Sequence, residues 1–275
     1  MATYTAADVK KLREQTGAGM LDCKNALVES DGSFDKAVEY LRVKGQRGVA
    51  KRESRTASNG LVAAHVEDGF GTLVEVNCET DFVAKGEKFQ ALAQEVLDQA
   101  VRVKATDVDS LLKSELPDGR TVRAFLDDGN AAIGEKIEVR RVVRFEAPHV
   151  ASYLHRTAAD LPPQVGVLFA TDAPTDVARE VAMHIAALPP TYLVRDEVPE
   201  EVLASERRVA EATAREEGKP EQALPRIVEG RVTGFFKENV LLDQKFAKDQ
   251  SKTVSKVLEE AGVKAKGFAR FRVGA

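Results

Sequence analysis

The chain has 275 residues, of which 43% are hydrophobic and 31% charged, a composition typical of a folded globular protein. Its 40 basic and 44 acidic residues give a net charge of -4. That balance argues against general polyanion binding, which depends on many lysine and arginine contacts to phosphate groups.

Neither a secretory signal nor a membrane span is evident in the sequence. Charged residues interrupt the N-terminal stretch, and no later run approaches the roughly 18 apolar residues that a span requires. The two cysteines, Cys23 and Cys78, lie far apart and lack metal-ligand spacing. We therefore expect a cytoplasmic protein with both thiols reduced and buried.

Residues 1–44 predict a small head domain of three short helices. Thr5 is suited to cap the first helix, the Gly-Ala-Gly sequence at residues 17–19 ends it, and Ser33 precedes the third. Because each helix alone is too short to be stable in water, the three are expected to pack on one another.

Residues 45–59 predict a basic linker, since they are rich in Lys, Arg, Gly and Ser and show no apolar periodicity. Such residues could contact nucleic acid. No aromatic side chains are interleaved for base stacking, however, so a solvated linker is favoured and no direct nucleic-acid contact is expected.

From residue 60 onward the chain contains what looks like an internal duplication. Thr80-Asp81, at the end of one apolar strand, recurs 91 residues later as Thr171-Asp172, at the end of another. A helical pattern follows in both places. The alternative is a chance similarity of short apolar segments.

A second matched pair locates an insertion in the second copy. "TVRAFLDDG" from Thr121 recurs as "TVSKVLEEAG" from Thr253, an offset of 132 residues, which exceeds the first offset by 41. Residues 199–238 fill that difference and form helices on both sides of a Gly-Lys-Pro break at 218–220. This pattern predicts a helical hairpin projecting from the second copy.

The predicted fold class is therefore α+β. The three-helix head and the linker are followed by a first core subdomain at residues 60–148 and a second at 149–275, which carries the hairpin at about 199–238. Each subdomain is expected to hold a small antiparallel sheet of about three strands backed by helices.

Sequence motifs of catalysis are missing. The chain has no GxxxxGK[ST] loop, no HExxH, no GxSxG and no EF-hand pattern, and its four histidines lack ligand-pair spacing. His184 lies mid-helix among apolar neighbours, which is more typical of a core or interface group than of a catalyst. We predict a binding surface rather than an enzyme, with no cofactor, metal or nucleotide of its own.

The clearest candidate for that surface is the stretch "VEVNCETDFVAKGEKF", where a strand pattern changes into a helix pattern. Asp81 and Phe82 lie at the change. An exposed phenylalanine beside a carboxylate is typical of a contact surface. The alternative is that Phe82 is buried and Asp81 is the N-cap of the following helix.

Three stretches resemble the bacterial elongation factor Ts family in order and spacing: "LREQTGAGMLDCKNAL", "VEVNCETDFVAKGEKF", and "VAMHIAA" followed by the hairpin and "EGR". The resemblance implies a ubiquitin-associated-like head and two related core subdomains with a coiled-coil hairpin. It also implies a guanine-nucleotide exchange factor for elongation factor Tu, the GTPase that carries aminoacyl-tRNA to the ribosome. Some members continue into a C-terminal helical module, which is not expected here because the chain stops at "RFRVGA".

The resemblance also implies roles for individual residues. The family presses its "TDFV" loop, here Thr80, Asp81, Phe82 and Val83, against the GTPase near its nucleotide-bound magnesium, which is thereby displaced.

Residues outside that loop are implied as further partner contacts. They are Arg13, Met20 and Leu21 in the head, and His184 in the second copy. Met20 and Leu21 could instead belong to the head core, and Leu21 is expected to face inward more than Met20. The alternative functions are an RNA-binding module and a ubiquitin-associated-like adaptor.

Overall fold

The structure is a computed structural model that describes residues 4–275, apart from the side chains of Gln46, Arg47 and Ala50. The first three residues of the predicted head therefore lie outside the described residues, as do those three side chains of the predicted linker.

The described part of the chain forms the following α-helices: α1 (Ala6–Thr16), α2 (Met20–Glu29), α3 (Phe34–Arg52), α4 (Asp81–Lys85), α5 (Glu87–Arg102), α6 (Val108–Lys113), α7 (Val122–Ile133), α8 (Val177–Ala187), α9 (Glu200–Glu216), α10 (Leu224–Asn239) and α11 (Val254–Glu260). Its strands are β1 (Asn59–Glu67), β2 (Phe70–Cys78), β3 (Glu138–Glu146), β4 (His149–His155), β5 (Val165–Thr171), β6 (Lys245–Phe246), β7 (Asp249–Thr253) and β8 (Ala265–Arg272). The predicted α+β class with small antiparallel sheets is confirmed.

Helices α1, α2 and α3 form the head. A capping box starts α1, because the Thr5 hydroxyl accepts from the backbone N–H of Asp8 and the Asp8 carboxylate accepts from that of Thr5. The chain leaves α1 through Gly17 at φ +70°, a conformation that favours glycine. The three helices pack around Leu12, Cys23 and Leu27, which are fully buried.

The prediction that residues 45–59 form a linker is wrong for its first half, because α3 continues to Arg52. A Cβ added at Gly45 would lie only 2.7 Å from the Cβ of Ala131 in α7, so glycine permits a close approach of the two helices. Arg52 Nη2 also donates to the carbonyl of Asn130 at 2.9 Å. The segment is thus held by backbone proximity and a hydrogen bond, neither of which requires an apolar stripe.

The two three-stranded sheets share one topology, as the predicted duplication requires. The strand orders are β1-β2-β3 and β4-β5-β8, all antiparallel. In each copy a threonine caps the helix before the closing strand. Thr121 accepts from the backbone N–H of Ala124 and Thr253 from that of Lys256, both at 3.2 Å.

The sheets also pack on each other across a shared apolar cluster of side chains from both copies, among them Val62, Leu73, Val150, Leu168 and Phe271. Two glycines permit the close approach. A Cβ at Gly71 would lie 2.6 Å from Val150, and one at Gly166 would lie 2.4 Å from Val62. Apart from that of the linker, the domain boundaries given above stay predictions.

Helices α9 and α10 form the predicted hairpin in the second copy, turning at Gly218 with φ +71°. Ala210, Ala214 and Val232 are buried in it. The described residues form four apolar core clusters, and none of the cluster residues lies within 199–238. The hairpin therefore adds to the second copy without supplying its core.

An ion pair with one fully buried partner lies where the first sheet meets the second. The Glu75 side chain in β2 is fully buried, and its Oε2 accepts from Nε of Arg141 in β3 at 2.6 Å. Arg141 also donates through Nη2 to the carbonyl of Arg272 in β8 at 2.9 Å, and its guanidinium lies 4.6 Å from the Phe271 ring centroid. Among the described residues, Arg141 is therefore the charge partner of a carboxylate that is fully desolvated.

We predict that Arg141→Met lowers the free energy of unfolding by about 3 kcal/mol, because it leaves the buried Glu75 carboxylate unpaired. Urea unfolding followed by circular dichroism measures this loss. The matched control is Arg140→Met at the exposed neighbouring position, with an expected change within about 0.5 kcal/mol. Equal losses in both variants would contradict the assigned role of the pair.

A second prediction is that the hairpin can be removed without unfolding the rest. Replacing residues 200–237 by a short turn should leave a single cooperative transition, since Asn239 remains to accept hydrogen bonds from the backbone N–H groups of Thr191 and Tyr192. Circular dichroism should lose only the helical signal of α9 and α10. A non-cooperative melt would show that the hairpin is part of the core.

Candidate partner-contact site

Phe82 is the most exposed large hydrophobic side chain in the described part of the chain, with 82% of its surface accessible. It lies in the first turn of α4, two residues before the buried Ala84. The alternative of a buried Phe82 is wrong. The N-cap of α4 is Thr80 rather than Asp81, since the Thr80 hydroxyl accepts from the backbone N–H of Val83.

A carboxylate from another part of the first copy holds the strand-to-helix turn. The backbone N–H groups of Glu79 and Thr80 both donate to Oε2 of Glu135, at 3.1 and 3.0 Å. The Thr80 hydroxyl donates to Oε1 of Glu135 at 2.6 Å. We call residues 79–83 together with Glu135 and Lys136 the joint.

The Glu79 carboxylate makes the reciprocal hydrogen bond, to the segment that contains Glu135. Its Oε1 accepts from the backbone N–H of Lys136 at 2.7 Å, and Arg55 Nη1 lies 3.3 Å from both of its carboxylate oxygens. The hydrogen bond from Lys136, assisted by Arg55, holds the pKa of Glu79 below its usual range. The two segments thus exchange carboxylate-to-backbone bonds, which fixes their relative position.

Cys78 lies beneath the joint, fully buried, with its thiol donating to the carbonyl of Thr80 at 3.2 Å. Burial, and then the charge of Glu135, raise its pKa to about 12. The thiol therefore stays neutral and acts as a structural group, as expected for a buried cysteine. Cys23 is likewise free and buried.

Asp81 and Val83 face different surroundings. The Asp81 side chain is about half exposed and accepts from Nζ of Lys85 at 3.0 Å, and Lys85 also lies 2.8 Å from Asp160. Val83 is partly buried and packs against the core of the first copy. Within the "TDFV" segment, Phe82 and Asp81 are therefore directed outward, while Thr80 and Val83 fix the turn.

The predicted head contacts lie on the surface. Met20 is 49% exposed and Leu21 68% exposed, so the prediction that Leu21 faces inward more than Met20 is wrong. The interior of α2 is instead supplied by Cys23, Ala26 and Leu27. Arg13 is exposed and lines a cavity of about 250 Å³ together with Lys88 at the start of α5, which places the head beside the first copy.

His184 differs from the other predicted contacts because it is only 2% exposed. Its Nδ1 accepts from the backbone N–H of Ala247 at 3.1 Å, and its Nε2 lies 2.8 Å from Oε1 of Gln244. This arrangement requires the tautomer with hydrogen on Nε2. Since both ring nitrogens are engaged, the prediction of a direct partner contact does not fit the structure, and any partner role must act through the segment that His184 holds.

The second copy has a joint of the same kind without the exposed aromatic. Asp172 Oδ1 accepts from the backbone N–H of Lys264 at 2.7 Å, and the backbone N–H of Asp172 donates to the carbonyl of Lys264 at 3.0 Å. The residues between Asp172 and α8 are Ala, Pro, Thr and Asp, none of which is aromatic. The contact feature therefore belongs to one copy alone.

Three residues of the joint region had no role in the sequence prediction: Glu135, Lys85 and Asp160. Glu135 works through backbone N–H groups 55 and 56 positions away, which no local pattern reveals. The described residues contain no cluster of three or more His, Cys, Asp or Glu side chains placed to bind a metal. In the same residues, each helix is too short or too polar to cross a membrane.

Comparisons with known proteins agree with the motifs. A family model described as "Elongation factor TS" matches residues 79–275. Curated proteins called "Elongation factor Ts" are 64% identical over 276 residues in Kineococcus radiotolerans, 60% over 275 in Acidothermus cellulolyticus and 58% over 278 in Micrococcus luteus. These alignments cover 100% of this chain and 99% to 100% of each relative.

We predict that protonation of His184 lowers the stability of the second copy at acidic pH. Burial lowers the pKa of His184, because the charged ring is desolvated. A histidine with a lowered folded-state pKa binds more protons when unfolded, so stability is lost as pH falls through the unfolded value of about 6.5. Unfolding free energies measured between about pH 7.5 and pH 5 report this slope.

The comparison variant is His184→Asn, which can still accept from Ala247 but cannot titrate. It should be less stable at neutral pH and should show a shallower decline in acid. His155→Gln, at an exposed position, should leave the slope unchanged. A parental slope in His184→Asn would contradict this assignment.

Proposed function

We propose that this chain, which belongs to the elongation factor Ts family, is a guanine-nucleotide exchange factor for elongation factor Tu. Family membership makes it a translation elongation factor. The finer role is supported above all by one observation, the 82% exposure of Phe82 on a turn fixed by Glu135. The function is one of binding, in which no covalent bond of either protein changes.

Phe82 acts as the anchor of the contact. An apolar ring exposed on a fixed turn is favourable only when a partner covers it. Inserting the ring into an apolar slot on the GTPase would contribute about 1.5–3 kcal/mol of burial. Because the hydrogen bonds of the joint already order the turn, little conformational entropy is lost on binding.

Asp81 acts on the groups around the magnesium of the partner's bound nucleotide. Its carboxylate is on the exposed face of α4 beside Phe82 and is held by one side chain of its own helix, Lys85. Placed near the magnesium site, it competes with the polar groups that hold the ion there. Loss of the ion leaves the diphosphate charge uncompensated, so GDP dissociates.

The remaining contacts have unequal support. Met20, Leu21 and Arg13 are exposed on the head and are available to a helix of the GTPase. His184 contributes indirectly, because it fixes the segment from Gln244 to Ala247 beneath α8. The exposed Met183 next to it offers the apolar surface that the buried histidine does not.

Linkage sets the size of the effect. A factor that weakens nucleotide binding must itself be weakened by nucleotide to the same degree. A 10⁴-fold effect would need about 5.5 kcal/mol of differential binding. An interface of ordinary size with a few anchors such as Phe82 can supply that amount.

The direct test follows release of fluorescent GDP from elongation factor Tu after addition of this chain. The proposed function predicts acceleration at catalytic amounts of the chain. An RNA-binding module or a ubiquitin-associated-like adaptor would leave the release rate unchanged, and that result would overturn the proposal.

We predict that Phe82→Ala folds normally and slows GDP release by roughly 30-fold, because truncating an interface anchor commonly costs about 2 kcal/mol or more. Stopped-flow fluorescence measures the rate in millimolar magnesium. Asp81→Ala should affect the same step, and the two effects should be less than additive.

The matched control is Val209→Ala, which removes another exposed apolar side chain, in α9, and should keep the parental rate. Chelating magnesium should restore much of the rate of both joint variants, because the ion has then already been removed. A parental rate for Phe82→Ala in millimolar magnesium would contradict the role of the ring.

A further inference from the structure

Lys85 lies between two carboxylates that come from different copies of the duplicated core. Its ammonium is 3.0 Å from Oδ2 of Asp81 and 2.8 Å from Oδ2 of Asp160. Asp81 belongs to α4, whereas Asp160 lies in the loop between β4 and β5. Asp160 of the second copy is thus linked to α4 of the first copy through Lys85.

The ammonium is paired with both acids. The hydrogen bonds that Lys85 donates to Asp160 and then to Asp81 raise the pKa of Lys85, and the pKa of Asp160 is lowered chiefly by its hydrogen bond with Lys85. The ammonium also lies 6.0 Å from the Phe82 ring centroid. Lys85 is therefore charged and adjacent to both outward-facing residues of the joint.

This geometry creates a competition. An ammonium has three donors and can serve both carboxylates at once, but the attraction that each carboxylate experiences is reduced by the other. If Asp160 were neutral, Lys85 would pair with Asp81 alone, at the i, i+4 spacing that favours such a pair. Asp81 would then be less available to a partner.

We propose that Asp160 is a positioning residue for nucleotide exchange, which retains the Lys85 ammonium and so frees the Asp81 carboxylate for the partner. This inference rests on the proposed function. The β4–β5 loop of the second copy would thereby influence nucleotide exchange at the Asp81–Phe82 surface of the first copy.

Replacing Asp160 is expected to change the exchange rate rather than the stability of the chain. All three side chains are substantially exposed, at 46% for Asp81, 32% for Lys85 and 68% for Asp160. Ion pairs of that kind contribute little to folding. Asp160→Asn should therefore melt like the parental chain while its exchange rate changes.

The experiment is a double-mutant cycle on GDP release from elongation factor Tu. In millimolar magnesium, Asp160→Asn should slow release by about twofold to fivefold, the range expected for an exposed pair. In a Lys85→Gln background the same change should have no further effect, because no ammonium remains to be shared. With magnesium chelated, the deficit of Asp160→Asn should disappear.

The control is Asp68→Asn, which removes an exposed carboxylate from the β1–β2 turn and should keep the parental rate. An equal deficit in the Lys85→Gln background would show that Asp160 acts without Lys85, and a parental rate for Asp160→Asn would show no role; either overturns the inference and leaves the proposed function intact. Failure of the parental chain to accelerate release would overturn both.

Discussion

The hydrogen bonds that the backbone N–H groups of Glu79 and Thr80 donate to Glu135 are the constraint on which the contact surface depends. A helix of five residues such as α4 is unstable on its own, so its orientation must come from its surroundings. Glu135 supplies acceptors for two backbone N–H groups and the Thr80 hydroxyl, and Glu79 in turn accepts from the backbone N–H of Lys136. These hydrogen bonds fix the turn on which Phe82 is exposed.

Duplication explains why such a turn exists. Both copies end their central strand at a polar joint that is tied to the segment before the closing strand. In the second copy no aromatic residue lies between Asp172 and α8, and the joint serves the fold alone. In the first copy Phe82 follows the joint in α4, so a structural link also directs a side chain outward. Packing of the two sheets through their shared cluster and the Glu75–Arg141 pair then lets the second copy support the first.

The sequence predicts what depends on local pattern. The cap at Thr5, the hairpin break at Gly218 and the strand-to-helix change before Phe82 all follow from neighbouring residues. The continuation of α3 was missed because glycine at Gly45 permits a close helix approach that leaves no apolar period. The exposure of Leu21 and the burial of His184 depend on tertiary packing, and Glu135 acts on backbone atoms 56 positions away.

The most direct test of this account is the rate of GDP release from elongation factor Tu with Glu135→Ala, measured beside Phe82→Ala. If the ring works because the joint holds it, Glu135→Ala should slow release toward the rate of Phe82→Ala while retaining its circular dichroism spectrum and an intact aromatic side chain. A folded Glu135→Ala chain that releases GDP at the parental rate would contradict the claim that the joint positions the contact.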